Sequence, residues 1–153
     1  MKRPDMRNPV HLLAFGFGSG LAPVAPGTFG TLAAIPFWWL MARLPLAGYL
    51  GVLAVVILAG VWICGRTSRD LGVHDHGGIV WDEFAGFFVT MIAVPPQWQW
   101  LLAGFLLFRL FDILKPWPIG WLDRRVGGGL GIMLDDLLAG AFAWAILQIL
   151  IHF

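Results

Sequence analysis

The chain has 153 residues, of which 59% are apolar and 12% are charged, and its formal net charge is +1. A soluble domain is about 45–50% apolar and about 25% charged, so the composition predicts an integral membrane protein. The small net charge argues against nucleic acid as a partner. The single cysteine, Cys64, excludes an intrachain disulfide and a multi-cysteine metal site. The length allows one domain, residues 1–153, without a separate soluble module.

The apolar stretches predict an all-α fold with four or five transmembrane helices. A spanning helix needs roughly 20 apolar residues, and the stretches that approach this length are 28–44, 46–64, 79–94, 98–114 and 134–151. Residues 10–27 are apolar but rich in glycine and proline, which predicts a re-entrant or interfacial segment. The alternative to five spans is four spans with a half-buried hairpin. We expect no cleaved signal peptide, because glycine and proline interrupt the first apolar stretch.

The basic residues predict how the helices are oriented. Lysine and arginine occur near the N-terminus, in residues 65–78 and in residues 115–133, and they are nearly absent from the connections between. Cytoplasmic connections carry an excess of these residues. Five spans with a cytoplasmic N-terminus therefore place every basic cluster on the inner side of a multi-pass protein.

The acidic residues are concentrated in one part of the chain. Eight of the nine lie between positions 70 and 136, and five of these lie where apolar runs begin or end: Asp82, Glu83, Asp112, Asp135 and Asp136. Placing a carboxylate at the edge of the membrane's hydrocarbon core costs free energy, so a carboxylate found there indicates a function. In the predicted topology, three helix ends carry all five to the cytoplasmic face. Clustered carboxylates are typical ligands of a hard cation, so these five are candidate metal ligands.

The alternative interpretation is that the acidic pairs are helix caps. Asp and Glu are favoured in the first turn of a helix by its dipole, and this explains either pair alone. It does not explain Asp112, which lies at the carboxyl end of a predicted span, where a negative charge is unfavourable. We therefore favour the metal site.

Basic and imidazole side chains near these acids suit phosphate chemistry. Lys115, Arg109 and Arg69 are candidate phosphate ligands, because their positive charges complement phosphate and arginine binds it bidentately. The alternative for such residues is contact with lipid headgroups, and Lys115 is also close enough in sequence to pair with Asp112. His76 is a candidate for proton transfer, with a solvated loop histidine as the alternative.

Three stretches of the chain resemble the phosphatidylglycerophosphatase A family. They are HLLAFGFGSGLAPVAPGTFGTLAAIPFW (11–38), GVHDHGGIVWDEFAGF (72–87) and FRLFDILKPWPIGWLDRRVGGGLGIMLDDLLAG (108–140). Together they cover about half of the chain, in order, and LKPWPI and GIMLDD are not generic membrane sequence. The polar positions shared with the family are Asp75, His76, Asp82, Glu83, Arg109, Asp112, Lys115, Asp123, Asp135 and Asp136.

The resemblance implies a bacterial inner-membrane, Mg²⁺-dependent lipid phosphatase, and the predicted topology places its active site at the cytoplasmic face. Such an enzyme converts phosphatidylglycerophosphate to phosphatidylglycerol, so the expected partners are this lipid and the surrounding membrane lipids. The resemblance does not assign roles among the shared positions. From their chemistry we expect the catalytic residues to be His76, Asp82, Asp112, Lys115 and Asp136.

Two other classes of function remain open from the residues alone. A small cation transporter would also need acidic residues within the membrane, but transport sites lie near the midplane, whereas these acids lie at one edge. A non-catalytic membrane assembly protein would not explain why the acids coincide with cations suited to phosphate.

Overall fold

The computed structural model describes residues 3–73 and 76–153 of the chain. All regular structure in the described residues is helical, which confirms the predicted all-α class. The helices are α1 (Pro9–Ala14), α2 (Pro26–Met41), α3 (Leu46–Leu71), α4 (Trp81–Thr90), α5 (Trp98–Leu114), α6 (Ile119–Arg125) and α7 (Gly128–His152), with a 3₁₀ turn at Ser19–Leu21.

Two helices are long and apolar enough, by length and composition, to cross a membrane. They are α3, with 26 residues, and α7, with 25. α2 and α5 have 16 and 17 residues, which amounts to about 25 Å at 1.5 Å per residue. The predicted stretch 79–94 is helical only over the ten residues of α4. The helix stops there because the chain turns after Thr90, and Ala93 adopts a φ of 55° ahead of two prolines.

Two other helices differ from their predicted bounds. α3 continues beyond position 64 to Leu71, so Arg66 and Arg69 lie on the helix and not in a loop. α3 ends where Gly72 takes a left-handed conformation, which caps a helix at little cost. α7 begins at Gly128, six residues before the predicted start at 134. The expectation that Asp135 and Asp136 open a span is therefore wrong, because both lie about two turns inside α7.

α7 is the central helix of the fold, and it packs against α3, α4, α5 and α6. Its contact with α4 is very close. A Cβ atom on Gly86 of α4 would lie 2.7 Å from the backbone oxygen of Asp136, nearer than van der Waals radii allow. Because only glycine permits this approach, the first turns of α4 lie directly beside the acidic part of α7.

We expect Gly140→Ala, on the α7 side of this contact, to destabilise the protein by about 1–3 kcal/mol through overpacking. The added methyl group would meet the carbonyl oxygen of Gly86 and the side chain of Val89. Thermal unfolding in detergent would measure the effect. The control is Gly51→Ala in α3, where a Cβ atom meets nothing within 4 Å and the melting temperature should not fall. Equal melting temperatures for the two variants would contradict the proposed packing.

The glycine- and proline-rich N-terminal segment packs against α3 and the residues before α4. Ala14 and Phe15 are buried, and the Ala14 carbonyl accepts a hydrogen bond from the Val80 N–H at 2.7 Å. His11 Nε2 lies 2.9 Å from Asp70 Oδ2 on α3. These contacts tie the N-terminal segment to the end of α3 and to the residue that precedes α4.

Candidate active site

A polar cavity of about 290 Å³ lies where α2 and α4 begin and α5 ends, beside α7. The structure brings all five predicted metal ligands to its wall, together with three other predicted site residues. The predicted site residues that line it are His76, Asp82, Glu83, Arg109, Asp112, Lys115, Asp135 and Asp136. The cavity therefore combines carboxylates, two cations and an imidazole.

The five carboxylates are buried, each with less than a tenth of its surface exposed. The described lining has three more acidic residues than basic ones. An ionised carboxylate is buried at large cost unless it is paired or coordinates a metal. The cavity thus favours additional positive charge.

Arg109 joins α4 to α5 through these acids. Its guanidinium donates to Glu83 Oε2 at 3.2 Å and to the carboxylate of Asp112, which lies about one turn further along α5. A Cβ atom on Gly27 would lie 3.0 Å from Arg109 Nη2 and 3.1 Å from Glu83 Oε1. Gly27, at the start of α2, therefore leaves room for the ion pair.

Lys115 contacts the carboxylates of Asp112 and Asp135. Its ammonium donates to Asp135 Oδ2 at 2.6 Å and lies 3.9 Å from Asp112 Oδ1. Burial acts to lower the pKa of Lys115, but the hydrogen bond to Asp135 and the nearby carboxylates outweigh it and raise the pKa above its usual value. The ammonium therefore stays charged at physiological pH.

The backbone at Lys115 is also informative. Lys115 caps α5 with a φ of 48°, in a left-handed conformation where glycine is the common residue. A lysine here is less favourable for the backbone than glycine would be. Strain of this kind is found at functional sites, so it favours a role for the ammonium.

The tautomer of His76 follows from its hydrogen bond. The backbone N–H of Gly78 donates to His76 Nδ1 at 2.9 Å, and a backbone amide can only donate. Neutral His76 therefore carries its proton on Nε2. In that form the ring offers the cavity a donor and not a base.

The cap interpretation applies to one acidic pair and not the other. Asp82 and Glu83 lie in the first turn of α4, and Asp82 Oδ1 accepts a hydrogen bond from the Glu83 N–H at 3.0 Å. Asp135 and Asp136 lie inside α7, so helix capping does not account for them.

The structure does not bring Arg69 to the cavity. Arg69 is exposed in the last turn of α3, and its position gives no support to the predicted phosphate contact. Asp123 lies on α6 and is not part of the cavity wall. His74 and Asp75, the latter a position shared with the family, lie outside the described residues.

Sequence reasoning missed two features around the site. Gly27 lines the cavity, and the only signal was the glycine- and proline-rich turn that precedes α2. The pair of His11 and Asp70 also went unrecognised, because the two residues are 59 positions apart and no local pattern links them.

The carboxylates fit a divalent cation. Two groups have ligand oxygens within 4.8 Å of one another: Asp82, Glu83 and Asp136, and Asp112, Asp135 and Asp136. Asp136 Oδ2 is buried and has no hydrogen-bond partner among the described residues, although the carboxyls of Glu83 and Asp112 lie within hydrogen-bonding reach of Asp136. Ionised carboxylates so close together need a proton or a cation between them, and an all-oxygen ligand set suits Mg²⁺.

Comparison with known proteins identifies what the chain is similar to. The model of the family described as phosphatidylglycerophosphatase A matches residues 12–151. The phosphatidylglycerophosphatase A of Escherichia coli is 56% identical over 98% of this chain and 88% of its own length. The protein of that name from Haemophilus influenzae is 50% identical over 94% of this chain and 89% of its own length. No solved structure gives a significant match.

Proposed function

Since the chain belongs to the phosphatidylglycerophosphatase A family, we propose that it hydrolyses the terminal phosphomonoester of phosphatidylglycerophosphate with the help of Mg²⁺. The products are phosphatidylglycerol and inorganic phosphate, which makes the chain a hydrolase of phospholipid biosynthesis. The family and the two close relatives support the substrate and the reaction. The observation that carries the metal is the group of five buried carboxylates around Asp136.

Asp136 is the central metal ligand in this proposal, because it belongs to both carboxylate groups. Asp82 and Glu83 complete one group, and Asp112 and Asp135 complete the other. Mg²⁺ bound there supplies charge stabilisation to the phosphoryl oxygens and a site that orients water.

The two cations of the cavity have different roles. The side chain of Lys115 is 32% exposed, whereas that of Arg109 is 14% exposed and is engaged by Glu83 and Asp112. Lys115 is therefore the residue that contacts the substrate phosphate and offsets its charge in the transition state. Arg109 mainly positions Glu83 and Asp112, and its charge adds to the field that attracts the phosphate.

His76 donates a hydrogen bond from Nε2 to a phosphate oxygen or to the oxygen of the leaving group. The Gly78 N–H fixes this arrangement by occupying Nδ1. Such a hydrogen bond lowers the barrier by stabilising the negative charge that develops on that oxygen in the transition state.

The proposed setting is the bacterial inner membrane, with four to five spans and the cavity at the cytoplasmic face. Large apolar side chains are exposed on several helices, among them Leu58, Leu106 and Ile149, as a lipid-facing surface requires. Arg66 and Arg69 lie near the end of α3, and Arg124 and Arg125 lie on α6. Their positive charge supports a cytoplasmic position for this end of the molecule.

We expect impermeant thiol reagents applied to intact cells or spheroplasts to label position 153 but not positions 69 or 127. The test uses Arg69→Cys, Gly127→Cys and Phe153→Cys, each in a Cys64→Ser background. All three positions are exposed, so permeabilised cells provide the control for reactivity. Labelling of 69 or 127 from outside would contradict the proposed orientation.

The reaction itself is tested by phosphate release from purified protein in detergent. We expect release from phosphatidylglycerophosphate with Mg²⁺, loss of release when the metal is chelated, and recovery when Mg²⁺ is restored. Phosphatidylglycerol, which has no phosphomonoester, is the negative control. Release that is unaffected by chelation would contradict the metal role, and an inactive, folded protein would contradict the function.

A further inference from the structure

We propose that a groove between α2 and α5 binds one acyl chain of the lipid substrate. The groove has a volume of about 230 Å³ and is lined by Leu32, Ile35, Trp98, Leu101, Leu102 and Phe105. This inference rests on the proposed function, and it names the part of the protein that recognises the apolar portion of the same substrate.

The groove exists because two helices stay apart. α2 packs against α4, and α5 packs against α7 and α4, but α2 and α5 make little direct contact in the described structure. Leu32 and Leu102 are each about half exposed on the two sides of the gap. The opening is therefore apolar, lateral and accessible from a surrounding lipid phase.

The groove leads away from the polar cavity. Gly27 and Arg109 both line the cavity, one at the start of α2 and the other near the end of α5. From Arg109, the residues Phe105, Leu102 and Trp98 follow at spacings of four, three and four on one face of α5. On α2, Leu32 and Ile35 continue from the end that carries Gly27. The same two helices thus wall the polar cavity and the groove.

The distance from the polar cavity to the far end of the groove fits an acyl chain. Arg109 and Trp98 are eleven residues apart in α5, which corresponds to about 16 Å along the helix axis. This is about half of a hydrocarbon core roughly 30 Å thick. A lipid whose phosphate lies in the cavity would therefore place one chain along the groove within a single leaflet.

A second apolar groove is a weaker candidate. It has the same volume, about 230 Å³, and is walled on one side by Val52 and Val56 of α3. Among the described residues, α3 contributes none to the lining of the polar cavity. The second groove shares α2 and α4 with the cavity, whereas in the α2–α5 groove both walls belong to helices that line the cavity.

The first test fills the groove. Leu102→Trp should raise KM for long-chain phosphatidylglycerophosphate by about tenfold or more, since several methylene contacts are lost. Its kcat/KM for a dihexanoyl analogue should stay within about twofold of wild type, because the short chains bury few methylene groups in the groove. Leu58→Trp, on an exposed site of α3, is the matched control and should change neither value.

Three outcomes would overturn the groove. In the first, Leu102→Trp leaves KM for the long-chain substrate unchanged, as Leu58→Trp does. In the second, Leu102→Trp lowers kcat/KM equally for the two substrates. In the third, Leu40→Trp in the second groove shows the chain-length effect instead. If wild type hydrolyses neither substrate, the proposed function fails before the groove is at issue.

A second test does not depend on turnover. Phosphatidylglycerophosphate with a photoreactive group in one acyl chain should label residues 98–105, and unlabelled phosphatidylglycerophosphate should suppress that labelling while phosphatidylcholine should not. Equal suppression by both lipids would mean that the groove holds bulk membrane lipid, which would overturn the proposal even for an active enzyme.

Discussion

Asp136→Asn should lower phosphate release by at least about 10²-fold, the scale on which a central electrostatic group contributes to catalysis. The amide keeps the shape of the side chain but loses the anionic oxygen that a hard cation needs. Asp136 is the carboxylate common to both candidate ligand groups, so its loss affects the whole site. Asp82→Asn and Asp112→Asn should have similar effects.

The variants must remain folded for this result to be informative. Replacing a buried carboxylate among other carboxylates relieves charge repulsion, so in metal-free buffer we expect Asp136→Asn to melt at the same temperature as wild type or above it. Asp123→Asn on α6, away from the cavity wall, is the matched control and should keep its activity. If Asp82→Asn, Asp112→Asn and Asp136→Asn all retain near wild-type rates of phosphate release with Mg²⁺, the assignment of these residues as metal ligands is wrong.

Lys115→Ala should lower kcat/KM by about 10²-fold or more, because the ammonium offsets the phosphate charge in the transition state. Lys115→Arg should recover only part of the activity, since the guanidinium has a different reach and shape. Phosphate release per folded molecule is the measurement. If Lys115 only anchors the end of α5 at the headgroups, arginine should instead restore full activity and alanine should reduce only the amount of protein.

Lys115→Gly separates the side chain from the backbone. Glycine adopts the left-handed conformation of this position without the strain that alanine or lysine has there. We expect Lys115→Gly to be at least as stable as Lys115→Ala and equally inactive. Activity in the glycine variant near that of wild type would show that the strained cap, and not the ammonium, limits the alanine variant.

The convergence of the carboxylates was predictable from the sequence because it depends on connectivity. Asp82 and Glu83 follow one connection, Asp112 precedes another, and alternating helices return their ends to the same side. The all-α class was also predictable, because few structures other than a helix accommodate apolar stretches of this length.

The exact helix ends were not predictable from hydropathy. The predicted bounds stop where charged or glycine residues begin, but α3 continues through Arg66 to Leu71 and α7 starts at Gly128. Gly129 at the start of α7 allows close packing against α3, because a Cβ atom there would lie 1.8 Å from the backbone oxygen of Val61. Tertiary contact therefore extends these helices where composition alone indicates a loop.

The partners of individual side chains also depend on tertiary structure. Arg69 and Arg109 are equivalent in the sequence argument, yet one is exposed on α3 and the other joins Glu83 to Asp112. The direction of each side chain is set by helix rotation, which the weak amphipathicity of a lipid-facing helix does not reveal.

The most direct test of the central claim, that the buried carboxylates hold a divalent cation, is binding of Mn²⁺ in place of Mg²⁺, followed by electron paramagnetic resonance. We predict saturable binding by wild type and by Asp123→Asn, competition by Mg²⁺, and loss of that binding in folded Asp136→Asn. Binding that is unchanged in Asp136→Asn, or absent from an active wild-type protein, would contradict the account.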